Sequence, residues 1–160
     1  MVQESALKCN KVEVRSLFVG EYSHNIDSKG RIIIPARFRE QLGDRFIITK
    51  GFENCLFVYP MEEWEKLSDS LSKLPSNQKS ARFLQRMFLS GASEAEPDKQ
   101  GKVLITQPHR EHAGLTKEVT IIGVSKRVEI WDSASWKAYE DSENEMSLEE
   151  AAENLEEIQF

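Results

Sequence analysis

The chain repeats itself, and that constrains its fold more than any other feature. Residues 27–43, DSKGRIIIPARFREQLG, align with residues 98–114, DKQGKVLITQPHREHAG, at a constant offset of 71. Asp27 meets Asp98, Gly30 meets Gly101 and Arg31 meets Lys102. The triplet Ile32, Ile33, Ile34 meets Val103, Leu104, Ile105, and Arg39-Glu40 meets Arg110-Glu111. The offset then slips to 72, where Gly51 meets Gly123, residues 56–59 meet 128–131, and Trp64 meets Trp136. Two copies of one unit of about 45 residues follow. A β unit that small buries too little apolar surface to stand alone. The copies are therefore expected to pack on each other and on further subunits.

Each copy reads alike. A short strand leads to D-x-x-G-[RK], a β-branched run, R-E-x-x-G, a β-rich segment, a second strand and a tryptophan-bearing helix start. Asp followed by Gly three residues later signals a turn, because the carboxylate accepts backbone N–H bonds and glycine tolerates positive φ. Arg31 thus leaves a turn and begins a strand. Pro35 is placed to start a short helix that Gly43 can end. Residues 61–74 and 79–89 carry apolar residues at helical spacing, and a final helix is expected over 147–158, under heavy acid. The resulting division is an N-terminal extension over 1–17, repeat 1 over 21–63, a helical connector over 64–91, repeat 2 over 92–135, and an acidic C-terminal helix and tail over 136–160. The class is mainly β with short helices, an α+β chain.

The net charge of −6 hides a segregation. Residues 137–160 hold one basic and nine acidic side chains, and everything before them sums to +2. Between Asp27 and Lys50 there are six basic and three acidic side chains. Phosphate binding answers to the field at the contact face rather than to the chain total, so an acidic average does not exclude a nucleic-acid partner. No stretch approaches eighteen consecutive apolar residues, and no signal peptide is legible, which argues against membrane insertion and secretion. Cys9 and Cys55 have no CxxC spacing, so neither a disulfide framework nor a zinc site is supported. A reducing, cytoplasmic setting is expected.

The run GEYSHNIDSKGRIIIPARFR, then CLFVYP-x-x-EW, SGASE and DKQGKVLI, closely resembles the MraZ family, whose two SpoVT-AbrB units each carry a D-x-x-x-R signature. The likeness covers residues 18 to 158. It implies a double-split β-barrel built from the two repeats, a ring-like homo-oligomer, and binding to short direct repeats of double-stranded DNA in the promoter of a bacterial division and cell-wall gene cluster. The expected role is that of a cytoplasmic, nucleoid-associated transcription regulator with no cofactor and no enzymatic activity. The family's DNA-contacting signature maps onto Asp27, Lys29 and Arg31, with Arg37 and Arg39 as phosphate contacts. The second copy departs from the pattern, with Lys102 in place of arginine and Thr106 in place of the proline. Lys102 is kept as a contact of lesser strength.

From the residues alone two readings of Asp27 and Arg31 stand. The pair braces a turn, or Asp27 holds the guanidinium fork in place for phosphate or for guanine O6 and N7. An AbrB-like unit that holds a partner protein, as antitoxins do, is the rival function, and the basic cluster from Lys29 to Lys50 favours DNA over it. A small hydrolase would need a nucleophile beside a base, and no such motif is present. His109 and His112 stand three apart without a third ligand and are read as solvated. Cys55 is expected to pack rather than react, and Trp64 and Trp136 to share a packing role. Residues 1–16 have no counterpart in the likeness, and Leu17 is read as a TTG start, which would leave them untranslated or disordered.

Overall fold

The strands of the two copies interleave. The computed structural model describes residues 17–142, 147–155 and 157. The first copy runs β1 (Phe18–Asn25), β2 (Arg31–Ile33), α1 (Ala36–Leu42), β3 (Phe46–Lys50) and β4 (Leu56–Pro60). Helices α2 (Met61–Ser72) and α3 (Lys79–Ser90) connect it to the second copy. That copy runs β5 (Ser93–Ala95), β6 (Lys102–Leu104), α4 (Gln107–Ala113), β7 (Glu118–Ser125), β8 (Arg127–Asp132) and α5 (Ser133–Glu140), and α6 (Leu148–Glu153) closes the chain. Pro35 caps α1 from in front and Gly43 ends it. The last helix starts at the expected place, because Ser147 and Glu150 form a capping box. The helix ends at Glu153 with Asn154 as its C-cap, short of the expected 158, and the described residues Asn154, Leu155 and Glu157 are not helical. The reading of residues 1–16 lies outside the described residues.

The main sheet is antiparallel in the order β1-β7-β8-β4-β3-β5, and β2 pairs with β6 in a separate two-stranded ribbon. Written by counterpart strand, the main order is a palindrome that exchanges the copies across its centre: the first strand of copy one, two strands of copy two, their two counterparts from copy one in reverse order, and the first strand of copy two. Each copy thus lends its leading strand to the other, so neither has a complete sheet by itself. Leu56 pairs with Ile130, Phe57 with Glu129 and Val58 with Val128. At the repeat offset these are counterparts in reverse order, which places a pseudo-twofold axis through the Phe57–Glu129 pair. The ribbon obeys the same symmetry, with Arg31 opposite Leu104, Ile32 opposite Val103 and Ile33 opposite Lys102. Along the hydrogen-bond order β1 and β5 remain edges, so strand pairing among the described residues gives an open sheet roofed by a ribbon. This is a mixed α+β architecture.

One apolar cluster fills the space between sheet and ribbon, with Ile32, Ile34, Val103 and Ile105 set against Phe18, Phe46, Leu56, Ile121 and Ile130. Phe38 of α1 sits edge-on to Phe18 and Tyr22, at 5.7 and 5.2 Å between ring centres. Each such fully buried side chain contributes about 1.5–3 kcal/mol, so a charged residue at Ile32 would break the roof. The opposite face of the sheet carries a second cluster, Phe57, Tyr59, Ile122 and Trp131, under Leu71, Phe88, Trp64 and Trp136. Trp64 packs on Tyr59 at 6.1 Å and Trp136 on Trp131 at 5.1 Å, counterpart positions in the two copies. No described helix is long and apolar enough to cross a membrane.

Candidate nucleic-acid interface

The two D-x-x-G turns close in the same way. Asp27 Oδ1 accepts the backbone N–H of Lys29 at 2.9 Å and of Arg31 at 2.8 Å, and its carbonyl accepts from Gly30 at 3.0 Å. Asp98 Oδ1 accepts from Gln100 at 2.8 Å and Lys102 at 2.9 Å, and its carbonyl accepts from Gly101. Both glycines have φ near +80°, which a side chain would resist. The carboxylates are correspondingly acidic. The backbone N–H of Arg31, then that of Lys29 and the Arg31 guanidinium, hold Asp27 below the ordinary carboxylate range. The N–H groups of Lys102 and Gln100, with the nearby charge of Arg31, do the same for Asp98.

Arg31 is held from both copies. Its Nε donates to Asp27 Oδ2 at 2.9 Å, and its Nη1 lies 3.9 Å from Asp98 Oδ2. The guanidinium is half-buried and fixed in orientation, with donors left over, because two acceptors do not use all five N–H groups. Lys102, its counterpart, forms no ion pair among the described residues. Since Ile32 and Val103 point into the core, strand alternation puts Arg31, Ile33, Lys102 and Leu104 on the outward face of the ribbon. Ile33 and Leu104 are exposed there. The outward face is therefore a small square, with the two cations on one diagonal and the two apolar side chains on the other. Lys29 stands exposed at the adjoining turn.

Two of the expected contacts are placed differently. Arg37 is exposed on α1, one element beyond the ribbon. Arg39 is engaged in a cross-copy interlock: a Cβ on Gly101 would stand 2.6 Å from its Cζ, and its Nε is buried without a partner. Arg110 does the mirror-image job over Gly30, and its Nη1 donates to the Ile105 carbonyl. Backbone bonds complete the weave, with Ile105 N–H on the Gly30 carbonyl at 2.8 Å and Ile34 N–H on the Gly101 carbonyl at 3.2 Å. The structure thus gathers Asp27, Lys29, Arg31 and Lys102 at one face and assigns Arg39 a packing contact as well. Asp98 and Arg110 were not singled out from the sequence as parts of this site, although the repeat offset points to both.

The histidines differ from expectation. His109 is buried rather than solvated, and its Nε2 donates to the Gly91 carbonyl at 2.6 Å. That bond leaves Nδ1 as the bare ring nitrogen, buried without a partner, and burial lowers the imidazole pKa below its usual value. His112 bonds the Gly51 carbonyl at 3.1 Å. Cys55 is buried, and desolvation pushes its thiol well up, so it is not a ready thiolate. Among the described residues no three of His, Cys, Asp and Glu converge on a metal position. A cleft of about 500 Å³ lined by Arg39, Arg45, Asp44, Glu96 and Asp98 is open and charged of both signs, unlike the apolar pockets that enclose small molecules.

Comparison with known proteins follows the same division in two. The family described as MraZ protein, antitoxin-like, matches the chain twice, at residues 17–87 and 88–158. A transcriptional regulator MraZ of Alkaliphilus metalliredigens is 54% identical over 142 residues, which is 89% of this chain and 99% of that protein. One from Acetivibrio thermocellus is 54% identical over 139 residues, 87% of this chain and 96% of that protein. One from Lactobacillus johnsonii is 50% identical over 144 residues, 90% of this chain and all of that protein.

Proposed function

The chain belongs to the MraZ family, and we propose that it is a sequence-specific, DNA-binding transcriptional regulator, a repressor of the division and cell-wall gene cluster that includes its own promoter. The observation that carries this reading is the ribbon: Arg31 and Lys102 stand on one outward face, steadied by two aspartate-closed turns. A two-stranded antiparallel ribbon has the width of the major groove of B-DNA. Arg31 supplies the fork that reads guanine or grips phosphate, Asp27 orients it, and Lys29, Lys102, Arg37 and Arg39 contact phosphates. Chains assemble as a ring-like homo-oligomer, each unit completing a double-split barrel, and neighbouring copies engage consecutive direct repeats. Each contact is weak, and linkage through the assembly supplies the affinity by raising effective concentration. The protein works in the cytoplasm, associated with the nucleoid, and needs no cofactor.

A gel shift with the DNA upstream of the protein's own gene, over a salt series, tests this. Retarded, sequence-selective complexes are expected. The logarithm of the binding constant should fall by about 0.9 per neutralised phosphate for each unit of log salt. Absence of a shift alongside capture of a partner protein would favour the antitoxin-like reading instead.

A further inference from the structure

The strongest unassigned features are two helices at matching places in the two copies. At the repeat offset of 71, Lys79, Arg82 and Arg86 on α3 meet Glu150, Glu153 and Glu157 in the C-terminal segment. Ala81 meets Ala152 and Leu84 meets Leu155. The apolar pattern is kept while every charge is inverted. A solvated helix face has no need of such a correspondence.

Helix α3 is held to the sheet by its inner side. Ala81 and Phe88 are buried, and the Thr49 hydroxyl donates to the Phe88 carbonyl at 2.9 Å. Its outer side is a stripe at helical spacing, Lys79, Phe83, Arg86 and Met87, in which Phe83 is 62% exposed and Met87 41% exposed. The C-terminal helix α6 is uncovered on its apolar side, with Leu148 88% exposed and Leu155 55% exposed. A six-residue helix held by a capping box gains little from its own backbone, and helices this short depend on packing. Among the described residues neither Leu148 nor Leu155 is covered. The acidic, apolar-faced α6 and the basic, apolar-striped α3 therefore form a complementary pair.

We propose that α6 of one chain docks on the outer stripe of α3 of the neighbouring chain in the assembly. Donor and acceptor faces lie at different places on one chain, so the contact is head-to-tail, the type that closes rings when the rotation permits. Glu149, Glu153 and Glu157 lie against Lys79, Arg82 and Arg86, and Leu148 and Leu155 cover Phe83 and Met87. The acidic tail thus serves as an assembly element, which accounts for the charge segregation along the chain. This inference rests on the homo-oligomeric reading above.

Reciprocal charge reversal with light scattering tests it in the full chain, without DNA. Variant one carries Lys79→Glu and Arg86→Glu, and variant two carries Glu153→Lys and Glu157→Lys; all four positions are exposed, and the capping residue Glu150 is left intact. Each variant alone pairs like with like and should fall from the parent's assembled mass toward the 18.4 kDa of one chain. Mixed one to one, each variant's tail meets an opposite stripe, and the parent's mass should return. Restoration on mixing also shows that both variants are folded, which circular dichroism of each alone checks independently. Parent-like mass for both single variants, or two folded variants that stay dissociated when mixed, would overturn the proposal. A parent that is itself monomeric would overturn the oligomeric reading and this inference with it. A normal gel shift by dissociated variants would leave the DNA-binding reading standing.

Discussion

Replacing Gly30 with alanine should destabilise the protein far more than replacing Gly114, though both glycines have positive φ, +80° and +60°. At Gly114 an added Cβ meets nothing within 4 Å, so the cost is the left-handed backbone alone, about 1–2 kcal/mol. At Gly30 the same strain applies, and the Cβ would stand 3.0 Å from Arg110 Cζ and closer still to its Nη1. The guanidinium must withdraw, and its bond to the Ile105 carbonyl is lost. A hydrogen bond from a charged donor contributes about 1.5–3 kcal/mol. The total is roughly 2.5–5 kcal/mol. For a chain of this size each kcal/mol moves the melting temperature by about 2–4 °C, so Gly114→Ala should lower it by about 2–8 °C and Gly30→Ala by about 5–20 °C. Thermal unfolding by circular dichroism at matched protein concentration reads the difference. Equal shifts would refute the cross-copy interlock as a stabilising contact. Since Gly30 also sits in the turn that carries Arg31, Gly30→Ala should weaken DNA binding as well.

Two further outcomes follow from buried polar groups. His109 has its pKa lowered by burial, so the unfolded chain binds the proton first. Stability from this group is intact above about pH 6.5 and is lost as pH falls through the window between that value and the lower folded pKa. His109→Phe, which copies the counterpart Phe38, should flatten melting temperature against pH over that window, at a cost of about 1 kcal/mol for the lost Gly91 bond at neutral pH. On the outer face of the sheet, Glu129 is buried, accepts from Arg127 Nε at 2.9 Å and from Trp131 Nε1 at 3.0 Å, and Arg127 lies 4.3 Å above the Phe57 ring. Arg127→Met, which leaves the buried Glu129 carboxylate without its cation, should cost about 3–5 kcal/mol in denaturant unfolding, whereas Arg127→Met with Glu129→Leu should cost much less, because no buried charge is left alone.

Local chemistry was legible in the sequence because local rules govern it. The Asp27 and Asp98 turns, the helix between Pro35 and Gly43, and the helical spacing of α2 and α3 all follow from side chains near in sequence. Strand exchange was not legible: nothing in the pattern of β1 says that it pairs with β7 rather than with its own copy, since sheet partners are chosen by non-local packing. The same gap hid the roles of Arg39 and Arg110, each of which packs on the other copy's glycine turn. His109 is a different case. The constant offset aligns it with Phe38, a core position, so the repeat itself carried the signal that the imidazole is buried. At the interface, the residue types point to Arg31 and Asp27 and the repeat offset marks Asp98 as the matching turn residue, but only the pairing of β2 with β6 brings the Asp98 carboxylate to Arg31.

In the function proposed above, Arg31 reads DNA from the ribbon and Lys102 is its weaker counterpart. Binding of the protein's own promoter DNA by Arg31→Ala and by Lys102→Ala, each first shown by light scattering to keep the parent's mass, measures this. Loss of a base-reading contact costs roughly 1–3 kcal/mol at each engaged site, and an assembly repeats that loss in every copy. Arg31→Ala should therefore lose specific binding, and Lys102→Ala, which removes a point charge, should lose much less. An Arg31→Ala protein of parental mass that binds the promoter as tightly as the parent would reduce Asp27 and Arg31 to a turn brace and contradict the account.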